Sequence, residues 1–382
     1  MDGELHAKFW WDTTSVDTDY ATHGLHPYPA KFIPQIPQRA IDLFTEPGDT
    51  VLDPFCGCGT TLVEAKLAGR NAVGTDVNPI ATHISKVKST PIDESTLAAV
   101  PPLLDEIRAD VAGLYTDSFG DGVIDYERPE FHNRDHWFEE HVQHELAVIL
   151  AHLRTVEDAD LRDFLTACLS AIIVKVSNQE SDTRYAAKDI DIAEEETVTE
   201  FIASVERNLE GIRYLTEHAG DGTVDVYDMD ARNVEALDDD SVDLVVTSPP
   251  YANTYDYYLY HKMRMFWLGM DYREAQAAEI GSRYKYSSQK EDPETFFGNI
   301  ADSLAEMERV LKPGAEAVFI IGDSVIRGDF FEMDEKIEEI CRDRSLTVVS
   351  QIEQELSTYT SFNKSFGSQE KHEYIIFLEN RA

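Results

Sequence analysis

The chain has 382 residues, 42% of them hydrophobic, with 33 Lys and Arg set against 73 Asp and Glu, a formal net charge of -40 and a pI near 4.5. That is enough apolar material for one large core, or one core with a satellite, so the sequence reads as one catalytic domain carrying an insertion. The acidity excludes a nucleic-acid contact driven by overall charge, and it leaves two explanations: repulsion of polyanions, or surface hydration in a cytoplasm of molar salt, where charges are screened within about 3 Å.

The acidic runs Glu194 to Glu196 and Asp238 to Asp240 lie between folded-looking segments, as a hydrated surface would. A halophilic source is the expectation. Cys56, Cys58, Cys168 and Cys341 form neither a disulfide framework nor paired zinc motifs, which points to a reducing compartment. The longest apolar run, Ala167 to Val176, is too short to span a bilayer, and the charged N-terminus lacks a signal-peptide core. A soluble, cytoplasmic protein is expected, with no membrane partner.

In chain order, Thr50 to Asp53 reads as a short apolar strand, Pro54 to Gly59 as a turn, and Thr60 onward as a helix with apolar Leu62, Val63, Ala65 and Leu67. A second strand, Asn71 to Thr75, ends at Asp76. Strand, helix, strand is the opening of a parallel, doubly wound sheet. From about residue 91 to 222 the pattern turns helical: Phe138, Val142, Leu146, Ile149 and Leu153 recur at helical spacing, as do Phe164, Cys168, Ala171, Ile172 and Val176. Alternation resumes with Val224 to Tyr227, Val242 to Thr247, Ala315 to Ile321 and Tyr374 to Leu378. The expected fold is therefore α/β, a doubly wound Rossmann-like sheet with a helical insertion. Its parts are a cofactor-binding half (1–90), the insertion (91–222), a candidate target-recognition region, and a catalytic half (223–382).

Two segments carry the chemistry. Asp53-Pro54-Phe55-Cys56-Gly57-Cys58-Gly59-Thr60-Thr61 puts small residues where strand gives way to helix, so backbone amides can meet a polar ligand. The third glycine of a dinucleotide fingerprint is replaced by Leu62, which disfavours a pyrophosphate. Asp76, closing the next strand, can accept from both hydroxyls of a ribose. A ribose without a pyrophosphate points to S-adenosylmethionine. Thr247-Ser248-Pro249-Pro250-Tyr251 follows a strand whose carboxyl end should share that sheet edge; its prolines leave carbonyls free to hold an amino group, and Tyr251 can stack on a base.

Together these segments resemble the amino-methyltransferase family of DNA, in which a DPFCGxGT-type loop precedes an SPPY or DPPY loop. His26 to Phe32, Asp230-Ala231-Arg232, the turn Leu311 to Gly314 and a closing hairpin over Ser361 to Leu378 extend the likeness. The resemblance implies that Phe32, Asp53, Phe55, Gly57, Gly59, Thr60, Asp76 and Asp230 bind S-adenosylmethionine. It also implies that Ser248, Pro249, Pro250 and Tyr251 hold a flipped-out base of double-stranded DNA. Ser at the start of the PPY loop is commoner among cytosine-N4 enzymes of that family, with adenine N6 the alternative. An RNA guanine-N2 methyltransferase, a protein glutamine methyltransferase and an inactive cofactor-binding regulator are the rival readings. The sequence leaves open the oligomeric state and a restriction endonuclease partner.

His132, His136, His141 and His144 match no metal signature, and no metal is expected. Carbon-5 chemistry would need a cysteine in the catalytic loop, which this chain lacks. DNA contacts are expected from local basic-aromatic stretches: Tyr257-Tyr258, His261 to Arg264, Arg283 to Lys290, Lys175 with Ser177 to Gln179, and Thr183 to Tyr185.

Overall fold

Successive residues on a strand face opposite ways, and the apolar pairs Val51/Leu52, Ala72/Val73 and Leu244/Val245 therefore feed two separate cores. In the computed structural model, which describes residues 17–116, 124–355 and 371–382, those pairs lie on a seven-stranded sheet covered on both faces. Its strands are β1 (Thr50–Asp53), β2 (Asn71–Asp76), β3 (Val224–Asp228), β4 (Val242–Thr247), β5 (Leu311–Gly322), β6 (Leu346–Glu355) and β7 (His372–Asn380). The spatial order is β6-β7-β5-β4-β1-β2-β3. Strands β1 to β5 run parallel, and β7 is antiparallel to both β5 and β6. The order reverses between β1 and β4, so their carboxyl ends diverge and open a crevice there.

Helix α1 (Gln35–Phe44) packs on α2 (Thr60–Leu67) and on β4 and β5, α2 packs on β1 and β2, and α3 (Pro79–Ser89) packs on β2 and β3. On the opposite face, Pro293–Val310 buries Phe296, Ile300, Leu304 and Met307, and Met333–Cys341 packs against the β5-β7-β6 end.

The insertion contributes α4 (Val100–Gly113), α5 (Glu140–Thr155), α6 (Ala159–Ile173) and α7 (Glu196–His218). Of the residues read as its apolar faces, all but Ala171 are buried. It is not wholly helical, because Gln179–Ser181 and Arg184–Ala187 pair as a hairpin. Nor does it close a core by itself: the same cluster takes in Leu25, Val87, Met263 and Trp267 from the flanking halves. The expected turn at Leu311 to Gly314 is instead a bulge within β5, where the pairing jumps from Leu311 to Glu316 and Gly314 takes φ +80°. Strand β6 was not expected. Of the expected closing hairpin, residues 361–370 lie outside the described residues, and β7 supplies its second arm.

Candidate active site

The loop after β1 is shaped by two left-handed glycines, Gly57 at φ +49° and Gly59 at φ +78°. Gly59 is the N-cap of α2, and a Cβ there would stand 2.8 Å from the Ser85 Cα of α3. A Cβ on Gly57 would press the Tyr28 ring at 3.3 Å. One backbone and one side-chain bond tie the loop to β2 and α3: Cys56 N donates to Thr75 O at 2.9 Å, and Ser85 Oγ to Gly57 O at 2.7 Å.

Asp76, at the end of β2, accepts from Gly57 N at 3.0 Å through one oxygen and from Asn78 N at 2.9 Å through the other. Each oxygen keeps a lone pair for a further donor. Burial pushes its carboxyl up to about 6, against the pull of those N–H groups. Burial also acts on Asp230, but the Arg232 guanidinium, at 2.5 and 2.9 Å, outweighs it and holds that carboxyl below the usual carboxylate range.

One cavity opens at the crevice. Its wall includes Phe32, Phe55, Gly57, Thr60, Asp76 and Asp230 from the expected cofactor set, and Ser248 and Pro250 from the PPY loop. Asp53 and Gly59 are not on that wall. Asp53 is 1% exposed and lies beneath it, accepting from Thr247 Oγ1 at 2.6 Å and from Phe55 N at 3.2 Å, so it joins the two loops. Burial raises its carboxyl to about 6. Gly59 is the back of the turn, against Ser85.

Pro249 and Tyr251 are likewise off the wall. The Tyr251 hydroxyl donates to Glu373 Oε1 of β7 at 2.6 Å, and a Cβ on Gly322 of β5 would come within 2.9 Å of its ring. Burial, followed by the nearby Glu373 charge, pushes the Tyr251 phenol well up.

The sequence reading missed several wall residues. Tyr28, Tyr257 and Tyr258 line the cavity; Tyr28 stacks on Tyr257 at 6.0 Å and on His261 at 4.9 Å. Tyr28 belongs to the His26 to Phe32 segment that extends the family likeness, whereas Tyr257 and Tyr258 are expected from the sequence to contact DNA. Glu279 also lines the cavity, and a lone Glu after the helix Tyr272–Ala278 carries no signature.

Several expected DNA contacts are occupied within the fold. Arg264 is completely buried, donating to Ser170 O at 3.0 Å and pairing with Asp182, which removes it from any DNA surface. Lys175 pairs with Glu200, and Arg184 with Glu180. Lys262 lies over the Tyr272 ring at 4.3 Å, and Tyr284 is exposed. Among the histidines, His141 meets Ile192 O at 2.9 Å and His144 meets the Tyr126 hydroxyl at 2.9 Å. Among the described residues, no three His, Cys, Asp or Glu side chains gather as metal ligands, and no helix is long and apolar enough to cross a membrane.

The donor set fits S-adenosylmethionine. Asp76 offers free lone pairs to a ribose, Gly57 and small wall residues such as Ala30 and Ala231 leave room for a flat ligand, and the aromatic wall can cover it.

The N6/N4 methyltransferase family model, described as a DNA methylase, matches residues 2–87 and 242–381, more than half of the chain. The type II methyltransferase M.MvaI of Kocuria varians is 31% identical over 273 residues, 67% of this chain and 59% of that protein. M.MjaII of Methanocaldococcus jannaschii is 23% identical, over 79% of this chain and 72% of its own length. A crystal structure of a DNA modification methylase from Thermus thermophilus, in complex with S-adenosyl-L-methionine, is 24% identical over 40% of this chain and 51% of its own, at a TM-score of 0.26. The chain thus spans about three fifths of the first of these relatives.

Proposed function

The chain belongs to the N6/N4 DNA methylase family, whose cofactor is S-adenosylmethionine, and on that premise we propose that it methylates an exocyclic amino nitrogen in double-stranded DNA, N4 of cytosine. The observation that carries this reading is that Ser248 and Pro250 share one cavity with Asp76 and Gly57, at the point where the strand order reverses.

When bound, S-adenosylmethionine supplies an electrophilic methyl group. The chain's part is to position and to exclude water. Asp76 anchors the ribose, and the Asp230 segment flanks the far end. An amino group on a base is a poor nucleophile because its lone pair is delocalised into the ring. The Ser248 hydroxyl and the carbonyl of Pro250, a residue with no N–H to compete, accept its hydrogens and draw it toward tetrahedral geometry. Such positioning supplies most of the rate. The base leaves the duplex at a cost of a few kcal/mol, offset by stacking on the aromatic wall.

Ser248, in place of Asp or Asn, favours cytosine over adenine. We assign target recognition to residues 91–222, which fall between the two matched blocks and whose Ser170 and Asp182 grip Arg264 just beyond the catalytic loop. The excess of acids over bases supports a halophilic source, and the thermal midpoint should then fall as potassium chloride is lowered from molar concentration.

The deciding experiment is nucleoside mass spectrometry on DNA from a methylation-free host expressing the protein, with RNA and protein assayed in parallel. N4-methylcytosine is expected. N6-methyladenine would move the target base, and methylated RNA without methylated DNA would overturn the substrate.

A further inference from the structure

The cavity wall contains three acids, Asp76, Asp230 and Glu279, and one basic residue, Lys31. Arg232 neutralises Asp230. Lys31 turns its ammonium to the His23 carbonyl at 3.0 Å. Among the described residues, then, no ion pair forms on Asp76 or Glu279, and the acids of the wall outnumber its one ammonium.

Glu279 is 7% exposed. Its Oε1 accepts from Tyr257 N at 2.8 Å and its Oε2 lies 3.5 Å from Tyr258 N, so the first turn of Tyr257–Tyr260 fixes the carboxyl in place. The chain running on from it lies beside the catalytic loop, with Asn253 N donating to Gly281 O at 2.8 Å and Arg283 N to Tyr255 O at 3.2 Å. Glu279 therefore stands in the wall that joins the ribose side of the cavity to the PPY side. A methyl donor held at its ribose by Asp76 and delivering its methyl at Ser248 would carry its sulfonium between those two residues of the wall.

We propose that Glu279 is the residue through which the cavity reads the positive charge of the cofactor, favouring S-adenosylmethionine over the uncharged thioether product S-adenosylhomocysteine. The proposal rests on the reading that this cavity holds S-adenosylmethionine. The two ligands share the adenosine and the amino-acid end, and they differ in one methyl group and one positive charge. Asp76 holds hydroxyls that both ligands possess, so it cannot by itself tell them apart. A buried carboxylate can: it is costly alone and stabilised beside a cation. Loss of the charge on methyl transfer then weakens the grip on the product.

The groups facing Glu279 are Asp76 of β2, Asp256, Tyr257 and Tyr258 from the segment after Tyr251, and Lys285, whose ammonium rests on the Glu279 backbone carbonyl at 2.7 Å. Burial first, then the Asp256 and Asp76 charges, push the Glu279 carboxyl up to about 8, against the pull of the two tyrosine N–H groups. With its carboxyl raised in this way, Glu279 takes up protons in the free protein near neutral pH, and a bound sulfonium favours their release. The thioether does not.

Titration calorimetry on the full chain at pH 7, in two buffers of different protonation enthalpy, reads this directly. S-adenosylmethionine should release more protons on binding than S-adenosylhomocysteine, and should bind more tightly. In E279Q that difference in proton release should vanish, and the preference for the sulfonium should fall by about tenfold, within the range of a single screened charge interaction. Equal proton release by the two ligands on the unmodified protein overturns the proposal, and so does an E279Q variant that keeps both differences. The unmodified protein decides the matter alone if E279Q does not fold. If neither ligand binds, the cofactor reading fails first, which is a separate result.

Discussion

The loops that follow β1 and β4 meet in one cavity, yet they are held in place by different means. The first is built mainly from local backbone, with two left-handed glycines, an N–H to the neighbouring strand and a helix that starts within the loop, and the nearby Asp76 and Ser85 side chains add bonds to Gly57. The second is built from side chains that reach far along the chain. Tyr251 is tied to Glu373, Asn253 to Val325 and Ser287, and Thr247 to Asp53. A loop of the first kind is damaged by adding atoms to it. A loop of the second kind is damaged by removing a partner many residues away, with no change in its own sequence.

Gly59→Val tests the first kind most severely. A β-branched side chain is barred from φ +78°, and its Cβ would collide with the backbone of α3 at 2.8 Å. The expected loss is about 3 kcal/mol of stability with S-adenosylmethionine binding abolished, measured by urea unfolding and calorimetry. A variant of full stability and affinity would mean that the loop is looser than its geometry. Next in size, Asp76→Ala removes acceptors without adding atoms. It should weaken cofactor binding by about 1.5 to 3 kcal/mol, some tenfold to over a hundredfold in Kd, while the fold survives. Unchanged affinity would take Asp76 out of the site.

Glu373→Leu is the matching test of the second loop. It strands the half-buried Tyr251 hydroxyl and should cost about 1 to 2 kcal/mol, read as a fall in kcat with cofactor affinity unchanged. Glu373→Gln, which can still accept from the hydroxyl, should restore most of the rate. A fall in both variants alike would show that the charge of Glu373, and not its hold on Tyr251, is what matters.

The same contrast explains what could be read from the sequence. The β1 loop, Asp76 and the two apolar periodicities of the sheet were legible because their causes are local: glycine where φ is positive, a carboxylate at a strand end, alternation along a strand. The two insertion helices announced themselves by spacing. What escaped depends on distant partners. Asp53 has the look of a ligand, and only Thr247, 194 residues away, shows it to be a joint beneath the cavity. Tyr251 was expected to face the base, and Glu373 and Gly322 account for its place behind the wall. Strand β6 is an edge strand paired on one side only, and the like pairs Val348-Val349 and Ser350-Gln351 break its alternation, so its sequence carries a weak strand signal. Arg264 looked like a DNA contact until Ser170 and Asp182, both in the insertion, closed around it.

The smallest expected effect discriminates most finely between the two kinds of restraint, because Asn253 uses both. Its backbone is left-handed, at φ +59°, which Asn tolerates better than most residues. Its side chain donates to Val325 O at 3.0 Å and accepts from Ser287 Oγ at 2.9 Å. Asn253→Gly keeps the backbone conformation and loses both bonds, whereas Asn253→Ala loses the bonds and also meets the left-handed penalty. If side-chain ties position the loop, both variants should lower kcat by a similar factor, about fivefold for roughly 1 kcal/mol of lost bonding, with Ala lower in stability by about a further 1 kcal/mol. If backbone conformation alone positions it, Asn253→Gly should match the unmodified protein in rate, and the PPY loop would then belong with the β1 loop after all. Measuring kcat and unfolding free energy for the pair separates the two, since the bonds act on both quantities and the conformational penalty acts on stability first.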